Sequence, residues 1–379
     1  MGKKQAMKTC PICGGGSLAV TIERPRLPVL QNRVYATLEA ALQSPCAPFK
    51  LATCTTCGFT FNSAFNSNLV VYDETYDNDV PSPTFSKYYE TLARQFMERF
   101  ALRSGTVIDI GCGKGAFLRT LCRLVPGIKG IGIDPSCTPI SEGNCTLIQD
   151  IFRPQYFGPD AKLVLLRHVL EHLADPVQFL EMLRRASPNA PLIVEVPDLD
   201  WIFRRGAFWD FCYEHSNYFT AQSLAYAANK AGFSVEHHEY SFGQQYQWAI
   251  CTPSEGDPAF PDAATAVANA RGYAKSEAAL LSLTGARIRK AETCVLWGMA
   301  TKGVIFAGLM NSDRILGGID VNTKKQERFV PGSGLKVHAP EWLKTLKGSP
   351  AVIVMNENYL DEIRATITAM GLRLQAEAV

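Results

Sequence analysis

The chain has 379 residues, of which 47% are hydrophobic and 20% are charged, and its formal net charge is +2. This composition is typical of folded globular proteins and excludes wholesale disorder. The length predicts two or three domains, and the near-balance of charges argues against a nucleic-acid or anionic-lipid partner. We expect neither a membrane span nor a secretory signal, because no apolar run is long enough for either.

Twelve cysteines are a prominent feature of this chain. Two C-x-x-C-G motifs supply four of them, Cys10, Cys13, Cys54 and Cys57. The two-residue spacer lets both thiolates of a motif face one ion, so two motifs predict a closed, structural Zn²⁺ site. A redox C-x-x-C motif is the alternative. Disulfides are not expected in the cytoplasmic compartment that we predict, and the other eight cysteines are expected to be small buried residues.

The predicted elements begin with a structured loop or hairpin between the two cysteine motifs. An apolar stripe from Phe85 to Phe100 then predicts a helix. Beyond Gly105, short β-rich runs alternate with helical stretches, which is typical of a parallel, doubly wound α/β sheet. The strand-like runs are Thr106–Ile110, Lys129–Ile133, Lys162–Leu166, Leu192–Val196 and Ser234–Tyr240, and the helical stretches include Pro176–Ala186 and Ser223–Ala231.

A second α/β body is predicted after a boundary at Thr252–Pro261. The Ala-rich segment Asp262–Glu292 predicts one long connecting helix. The later strands are Thr293–Trp297, Ile315–Asp320 and Ala351–Met355, with helices at Gly303–Asn311 and Tyr359–Met370. We therefore divide the chain into a zinc-binding module (1–75), a first α/β domain (76–255), a connecting helix (256–293) and a second α/β domain (294–379).

A glycine-rich turn follows the first strand of the sheet. Gly111, Gly113 and Gly115 allow close approach of a ligand to the backbone, and the next helix presents free N–H groups. Asp134 ends the following strand, where a carboxylate can bind both ribose hydroxyls. Asp150 follows the next hydrophobic run and can accept from an adenine amino group. The sequence thus predicts a nucleoside-type cofactor site.

The spacing D-x-G-x-G-x-G, which starts at Asp109, resembles motif I of class I S-adenosylmethionine-dependent methyltransferases. The resemblance covers about Gly105–Tyr240. An NAD-type Rossmann enzyme is the alternative, which the glycine spacing disfavours. The resemblance implies a class I methyltransferase core whose cofactor-binding residues are Asp109, Gly111, Cys112, Gly113, Asp134, Asp150 and Ile151.

Two later segments contain candidate catalytic side chains. His168 and His172 follow the Lys162–Leu166 strand and are expected to line the cofactor and acceptor pocket rather than bind a metal. A loop from Phe208 to Thr220 places His215 beside a carboxylate, Glu214, and phenols. This combination suits proton removal, because the carboxylate can orient the ring and a phenol can stabilise an oxyanion. A purely structural histidine is the alternative.

With these residues the whole chain resembles the nucleotide-sugar C-methyltransferase family, whose known members include C-3 methyltransferases of TDP-linked 4-keto-deoxysugars. The resemblance implies a Rossmann-like C-terminal domain that holds the acceptor, with Lys302 contacting it. Ala300 replaces the middle glycine of its nucleotide turn, which disfavours NAD. The C-terminal motifs are Val295–Gly303, Asp320–Gln326, Val330–Gly334 and Asn358–Ile363.

The family carries its base in a Tyr-His-Glu-His loop, and Glu214 and His215 match the last two positions. Tyr76 matches an upstream tyrosine, and His172 matches a family histidine. Three positions depart from the family pattern and bear on the acceptor: Cys212 replaces Tyr, Tyr213 replaces His, and His168 stands where the sugar enzymes have Asn.

The resemblance implies an S-adenosylmethionine-dependent C-methyltransferase acting on a nucleotide-linked keto-deoxysugar. His215, oriented by Glu214, would remove the proton beside the ketone, and Tyr213 or Tyr76 would stabilise the enolate. His172 would assist them, Cys212 would contact the substrate, and His168 would contact the cofactor. Alternatives are methyl transfer to oxygen or nitrogen of another acceptor, a zinc-ribbon RNA methyltransferase, and a non-catalytic binding scaffold. We expect a monomer or weak homo-oligomer.

Overall fold

The N-terminal part of the computed structural model is a small antiparallel sheet; the structure describes residues 7–158, 160–255 and 259–379. Strand β1 (Leu18–Pro28) pairs with β2 (Cys46–Cys54), and β2 pairs with β3 (Thr60–Asn62). Helix α1 (Leu38–Leu42) lies in the connection between β1 and β2. The segment between the cysteine motifs is therefore a hairpin-like pair, as expected. Among the described residues, no helix is long and apolar enough to cross a membrane.

The central part of the chain forms an eight-stranded sheet with helices around it. The elements of this part of the chain are α2 (Pro83–Arg99), β4 (Gly105–Ile110), α3 (Ala116–Leu124), β5 (Ile128–Ile133), β6 (Ile140–Glu142), β7 (Cys145–Ile148), β8 (Ala161–Arg167), α4 (Pro176–Ala186), β9 (Leu192–Pro197), α5 (Leu199–Arg205), β10 (Asn217–Tyr218), α6 (Ala221–Lys230), β11 (Phe233–Ser241) and β12 (Tyr246–Pro253). Strand β10 belongs to the N-terminal sheet, and the other strands form the eight-stranded sheet. The strand order is β11-β12-β9-β8-β4-β5-β7-β6.

The pairs from β9 through β8, β4 and β5 to β7 are parallel, which agrees with the expected doubly wound α/β sheet. Strand β12, which pairs antiparallel with both β9 and β11, was not predicted from the sequence. It follows β11 directly, through a turn in which Phe242, Gly243 and Gln244 have positive φ angles. No helix separates the two strands, so the alternation of strands and helices gave no signal for β12.

A second parallel sheet forms the C-terminal part. Its elements are α7 (Ala263–Lys290), β13 (Cys294–Trp297), α8 (Thr301–Met310), β14 (Ile315–Ile319), β15 (Val337–His338), β16 (Ala351–Val354), α9 (Leu360–Ala369) and β17 (Ala376–Ala378). The order is β15-β14-β13-β16-β17, with parallel pairing throughout. The long helix α7 lies close to its predicted bounds. The predicted boundary at residues 252–261 lies partly outside the described residues.

Helix α2 shows how the predicted apolar stripe is used. Ser82 caps the helix by accepting from the Phe85 amide, and a proline occupies the first turn. Leu92 and Phe96 are buried, and Phe96 packs against Phe117 of α3 and Trp248 of β12. The stripe therefore packs α2 onto the eight-stranded sheet.

The loop from Phe208 to His215 is tied to the N-terminal sheet and to α7 by Arg24 of β1. The Arg24 guanidinium donates to the carbonyls of Phe208 and Phe211, at 2.9 Å each, and pairs with Glu277 of α7 at 2.6 Å. Strand β10, just after this loop, pairs with β3. The predicted domain boundary near residue 75 therefore does not separate the N-terminal sheet from the rest of the chain.

Candidate active site between two sheets

A cavity of about 300 Å³ lies between the carboxyl ends of the two parallel sheets. From the eight-stranded sheet, His168 follows β8 and Pro197 ends β9; from the C-terminal sheet, Trp297 ends β13 and Asp320 follows β14. Side chains at the carboxyl ends of parallel strands face a ligand crevice in folds of this kind. The volume is that of a small-molecule site.

The glycine-rich turn after β4 forms the predicted cofactor crevice beside this cavity. Gly113 has φ 56°, and the nearest atom to a side chain added there would be Asn78 Oδ1 at 3.5 Å. The Asp134 carboxylate, after β5, accepts from the Gly113 amide at 2.9 Å and from the Ser136 amide at 2.7 Å. Gly115 caps α3 without a side-chain bond, so first-turn N–H groups remain for a ligand.

Asp109 lies buried beneath this turn, and burial raises its pKa to about 7 although Arg167 opposes the shift. Arg167 is itself paired with Glu195 at 2.5 Å. Cys112 is half-buried within the turn, and burial also raises the pKa of its thiol. Gly111 has a positive φ angle and packs closely against the residues after β8. These residues fit S-adenosylmethionine, because backbone amides, Asp134 and Asp109 offer partners to its carboxylate, ribose and ammonium groups.

Asp150 and Ile151 lie beyond the end of β7. Asp150 accepts from Arg153 at 2.6 Å, from the Ile151 amide at 2.8 Å and from the Tyr156 hydroxyl. The Ile151 side chain is 69% exposed. The two residues are thus at the outer rim of the crevice, where an adenine ring could pack.

His168 lines the cavity in a strained backbone conformation, with φ 54°. Its Nδ1 lies 3.5 Å from Glu171 Oε1, and its Nε2 lies 3.7 Å from Glu195 Oε1. The ring also contacts Tyr246 of β12, with centroids 4.5 Å apart. The predicted pocket position of His168 is therefore what the structure has, and a carboxylate lies near each ring nitrogen.

The Glu214 carboxylate is buried and held by three donors. Oε1 accepts from the Gln31 amide at 2.6 Å, and Oε2 accepts from the Tyr76 hydroxyl at 2.8 Å and the Tyr72 hydroxyl at 3.3 Å. Burial raises the pKa of Glu214, with His172 opposing. The expectation that Glu214 orients His215 is therefore corrected: these donors, and not the adjacent imidazole, occupy the carboxylate.

His172 extends this network to the cavity. Its Nδ1 lies 3.0 Å from the Tyr72 hydroxyl and 3.1 Å from the Glu214 carbonyl oxygen. Its ring centroid is 4.9 Å from that of His215, at a steep angle. Tyr76, Tyr72, Glu214 and His172 thus form one hydrogen-bonded group beside His215.

His215 lines the cavity, and its position is fixed by the residues that follow it. Ser216 donates to the carbonyls of Glu171 and Leu173, at 3.1 and 2.9 Å, and Asn217 donates to the Leu170 carbonyl at 3.1 Å. Burial, reinforced by His172, lowers the pKa of His215 to about 3. The ring is therefore neutral near pH 7, and protonating it requires a nearby anion to offset its burial.

Tyr213 and Cys212 are not among the cavity-lining residues, which corrects their expected roles. The Tyr213 hydroxyl accepts from the Asn66 amide at 2.9 Å, and its ring packs against Phe65. Cys212 is fully buried, and its backbone bonds the Tyr218 hydroxyl. Both side chains belong to an apolar cluster of the core, whereas the tyrosines that line the cavity are Tyr76, Tyr89, Tyr246 and Tyr359.

Lys302, in the first turn of α8, lines the cavity and forms an ion pair with Asp210. Two further cavity residues, Lys325 and Glu171, were not predicted from the sequence. Lys325 is 2% exposed, lines the cavity and donates to Asn32 Oδ1 at 3.0 Å. Glu171 is 1% exposed and also lines the cavity. Its place between two histidines in H-x-x-E-H was the available signal.

The four motif cysteines converge at the end of the N-terminal sheet. Their Sγ atoms all lie within 4.8 Å of one another, with Cys10–Cys57 at 3.6 Å and Cys13–Cys54 at 3.5 Å. The amides of Gly15 and Thr56 donate to two of the sulfurs, at 3.4 Å each. Four sulfurs with such amide donors fit a tetrahedral Zn²⁺ ion.

Residues 85–238, less than half of the chain, match the family model described as a methyltransferase domain. Similar solved structures include CalO1, a methyltransferase in calicheamicin biosynthesis, in its SAH-bound form (21% identity, TM-score 0.37). Others are the mitomycin 7-O-methyltransferase MmcR (17%, 0.36) and the N,N-8-amino-8-demethyl-D-riboflavin dimethyltransferase RosA from Streptomyces davawensis (20%, 0.35).

Each of these matches covers 45% of this chain and 54%, 54% and 55% of the respective structures, so it spans about half of their length. Likenesses of this strength do not bear on the acceptor. No curated protein matches the chain. The family match, together with the glycine-rich turn after β4 and Asp134 after β5, identifies residues 85–238 as an S-adenosylmethionine-dependent methyltransferase domain.

Proposed function

We propose that the protein transfers a methyl group from S-adenosylmethionine to a carbon beside the ketone of a nucleotide-linked keto-deoxysugar. The observation that carries this proposal is a neutral imidazole, His215, in a cavity shared by the methyltransferase domain and a second parallel sheet. Methyl transfer to carbon needs a base, whereas a neutral amine needs none before attack. The resemblance to nucleotide-sugar C-methyltransferases supplies the acceptor class.

His215 accepts the proton from the carbon beside the ketone, and the C–H electron pair forms the enolate. Tyr76 also lines the cavity, and it would stabilise the enolate oxygen by turning towards the acceptor the hydroxyl that it donates to Glu214 in the free protein. S-adenosylmethionine, when bound, supplies an electrophilic methyl group, and its sulfur keeps the electron pair of the broken S–CH₃ bond. The protein contributes the base, the alignment and the exclusion of water.

The opposite wall suits a phosphorylated acceptor. Helix α8 begins at the cavity without a side-chain cap, so its first-turn N–H groups are free of capping bonds. Lys302 and Lys325 bring two cations to the same wall, where Lys302 is paired with Asp210 and Lys325 lies 4.0 Å from Asp320, so a diphosphate would compete with these carboxylates. A helix N-terminus with adjacent cations favours the diphosphate of a nucleotide sugar. Such a substrate spans the cavity with its sugar towards His215.

We also propose that Cys10, Cys13, Cys54 and Cys57 hold a structural Zn²⁺ ion. All four thiolates would be ligands, so the ion has no open position for a substrate. Its role is then to hold the hairpin of β1 and β2, whose β1 strand carries Arg24.

The test combines purified protein, S-adenosylmethionine with a ¹³C-methyl group, and a panel of TDP-, UDP- and GDP-linked 4-keto-6-deoxyhexoses. Mass spectrometry detects a gain of one labelled methyl, and ¹³C NMR distinguishes C–CH₃ from O–CH₃ or N–CH₃. A C–CH₃ product that is lost in His215→Ala, with cofactor binding retained, supports the proposal. An O–CH₃ or N–CH₃ product, or full turnover by His215→Ala, contradicts it.

A further inference from the structure

The carboxylate of Glu171 lies among three imidazoles in the wall of the cavity. Glu171, His172 and His215 each offer a polar side-chain atom, and these atoms all lie within 4.8 Å of one another. His168 Nδ1 is 3.5 Å from Glu171 Oε1. The side chain is almost completely buried, and its second oxygen, Oε2, has no hydrogen-bond partner among the described residues. A buried carboxylate oxygen without a donor is costly and calls for a functional explanation.

Glu214 is differently placed, although it precedes His215 in sequence. Three donors satisfy its two oxygens, from Gln31, Tyr72 and Tyr76. Its oxygens therefore have little capacity left to accept a hydrogen bond from the His215 imidazolium. Glu171 has that capacity, because Oε2 is free to accept.

We infer that Glu171, and not Glu214, is the positioning residue that stabilises the imidazolium of His215 once that ring has accepted the acceptor's proton. The inference rests on the proposed base role of His215 and deepens it. When the C–H bond breaks, the proton moves to His215 and positive charge develops on the ring. The Glu171 carboxylate, which is 1% exposed, then provides the opposite charge away from bulk solvent, where such attraction is strong.

The surroundings of both groups are consistent with this role. Burial opposes ionisation of Glu171, but the contacts with His168, His172 and the other imidazoles outweigh it and lower its pKa, so the group is an anion near pH 7. His215 faces Glu171 as well as the cationic or titratable groups His172, His168 and Lys302. Among these neighbours, Glu171 is the anion that favours the protonated ring.

The backbone keeps the two residues together. Glu171 lies in a 3₁₀ turn at Leu170–His172, and Ser216 and Asn217 donate to carbonyls of that turn. The residues that flank the base are thus bonded directly to the segment that carries the carboxylate. Glu171→Gln keeps the size of the side chain and removes its charge, so it tests the charge without disturbing these backbone bonds.

The first measurement needs no acceptor. The chain has only six histidines, so ¹⁵N-histidine NMR of the protein with S-adenosylhomocysteine can follow each imidazole. We expect Glu171→Gln to change the ring-nitrogen shifts of His215 and His168, and Glu214→Gln to act chiefly on His172. If instead Glu214→Gln moves the His215 signals and Glu171→Gln leaves them in place, the inference is overturned.

The second measurement uses a turned-over acceptor deuterated beside its ketone. General-base assistance is worth about 10²- to 10⁴-fold, and we expect Glu171→Gln to lose roughly the lower end of this range, about 100-fold, in kcat. The KM values should change little, and the deuterium isotope effect should increase because proton removal becomes slower. Glu171→Asp should recover part of kcat. An unchanged isotope effect, with kcat lost in parallel with thermal stability, contradicts the inference.

The matched control is Glu277→Gln, which removes another buried carboxylate that is paired with Arg24 and does not line the cavity. It should lower the melting temperature without raising the isotope effect. Metal analysis of wild type and Glu171→Gln completes the test. We expect the same zinc content in both, whereas a second metal equivalent lost with Glu171 would overturn the inference. Failure to find any acceptor would contradict the proposed function and leave the NMR result standing.

Discussion

The Tyr76 hydroxyl donates a hydrogen bond of 2.8 Å to the Glu214 carboxylate, although the residues are 138 positions apart. Tyr76 comes from the segment before α2, and Glu214 comes from the loop after α5. The bond therefore joins the segment that precedes the methyltransferase domain to the loop that carries the proposed base. It also holds a phenol at the cavity wall in a fixed orientation.

Tyr76→Phe should lower kcat while leaving cofactor affinity unchanged. A hydrogen bond to a charged group contributes about 1.5–3 kcal/mol, and we expect about a tenfold or greater loss. Tyr72→Phe is the matched control, because its bond to Glu214 is longer, at 3.3 Å, and its effect should be smaller. Steady-state kinetics and calorimetry with S-adenosylhomocysteine measure the two quantities. If both variants instead weakened binding of S-adenosylhomocysteine to the same extent, Tyr76 would have no specific role towards the acceptor.

Removal of zinc should destabilise the N-terminal sheet. We expect one Zn²⁺ per chain by elemental analysis and a lower melting temperature after Cys10→Ser or chelation, because a closed thiolate site contributes directly to folding. The control is Cys294→Ser, which changes a buried cysteine of β13 outside the four-cysteine cluster, and this variant should retain its zinc. Wild-type protein without zinc would disprove the site.

Asp109→Asn should raise the stability of the folded protein at pH 8 and weaken its binding of the cofactor. The folded-state pKa of Asp109, about 7, lies above that of an unfolded aspartate. The folded protein therefore binds the Asp109 proton more tightly than the unfolded chain does. As pH rises from about 4 to 7, the ionisation of Asp109 increasingly lowers the free energy of unfolding. The variant should melt higher than wild type at pH 8, and the difference should vanish near pH 4.

For the same variant we expect weaker binding of S-adenosylhomocysteine, by about tenfold, since roughly 1.4 kcal/mol of charge-assisted bonding is lost. Titration calorimetry at pH 8 measures this loss. Unchanged affinity would place the cofactor's ammonium group away from Asp109.

His168→Asn and His168→Ala should differ in stability. Asparagine adopts positive φ angles more readily than other non-glycine residues, and His168 has φ 54°. Both variants lose the contacts of the imidazole with Glu171 and Glu195, so their stabilities are compared with each other. His168→Ala should be less stable than His168→Asn by about 1 kcal/mol, which is the usual scale of such strain. Thermal denaturation measures both, and the opposite order would contradict this explanation.

Arg24→Ala should be strongly destabilising. Removal of one member of a buried ion pair costs about 3–5 kcal/mol, and the carbonyls of Phe208 and Phe211 also lose their donor. Because these carbonyls belong to the loop that carries His215, the same variant should lower kcat at temperatures where it remains folded. Glu277→Gln keeps the bonds to the loop and should affect kcat much less. Chemical denaturation and kinetics below the melting temperature separate the two effects.

The sequence predicted most of the parallel strands, because alternating strands and helices are local patterns, but β7, β15 and β17 were not among the predicted strands. The cysteine motifs, the glycine-rich turn and Asp134 were also located from spacing alone. Strand β12 was missed, because it follows β11 through a short turn without an intervening helix. Periodicity reports the local period of apolar residues and carries little information on which strand pairs with which.

The roles inside the cavity were less predictable. Adjacency in sequence suggested that Glu214 orients His215, but Glu214 is bound by residues from the N-terminal sheet region and the segment before α2. Tyr213 was expected in the cavity, yet its hydroxyl bonds a loop amide on the far side. Side-chain direction in an irregular loop depends on tertiary contacts, which no local pattern encodes.

The division of the cavity between two sheets has a consequence for how such an enzyme can diversify. The methyl donor's crevice is built after β4 and β5, whereas Trp297, Asp320 and Met355 of the opposite wall come from a separate sheet. Under the proposed function, mutations in that sheet would alter the choice of acceptor without altering donor recognition. Directed evolution, or exchange of residues 294–379 between relatives, would then redirect the methyl group while the donor-binding part stays intact.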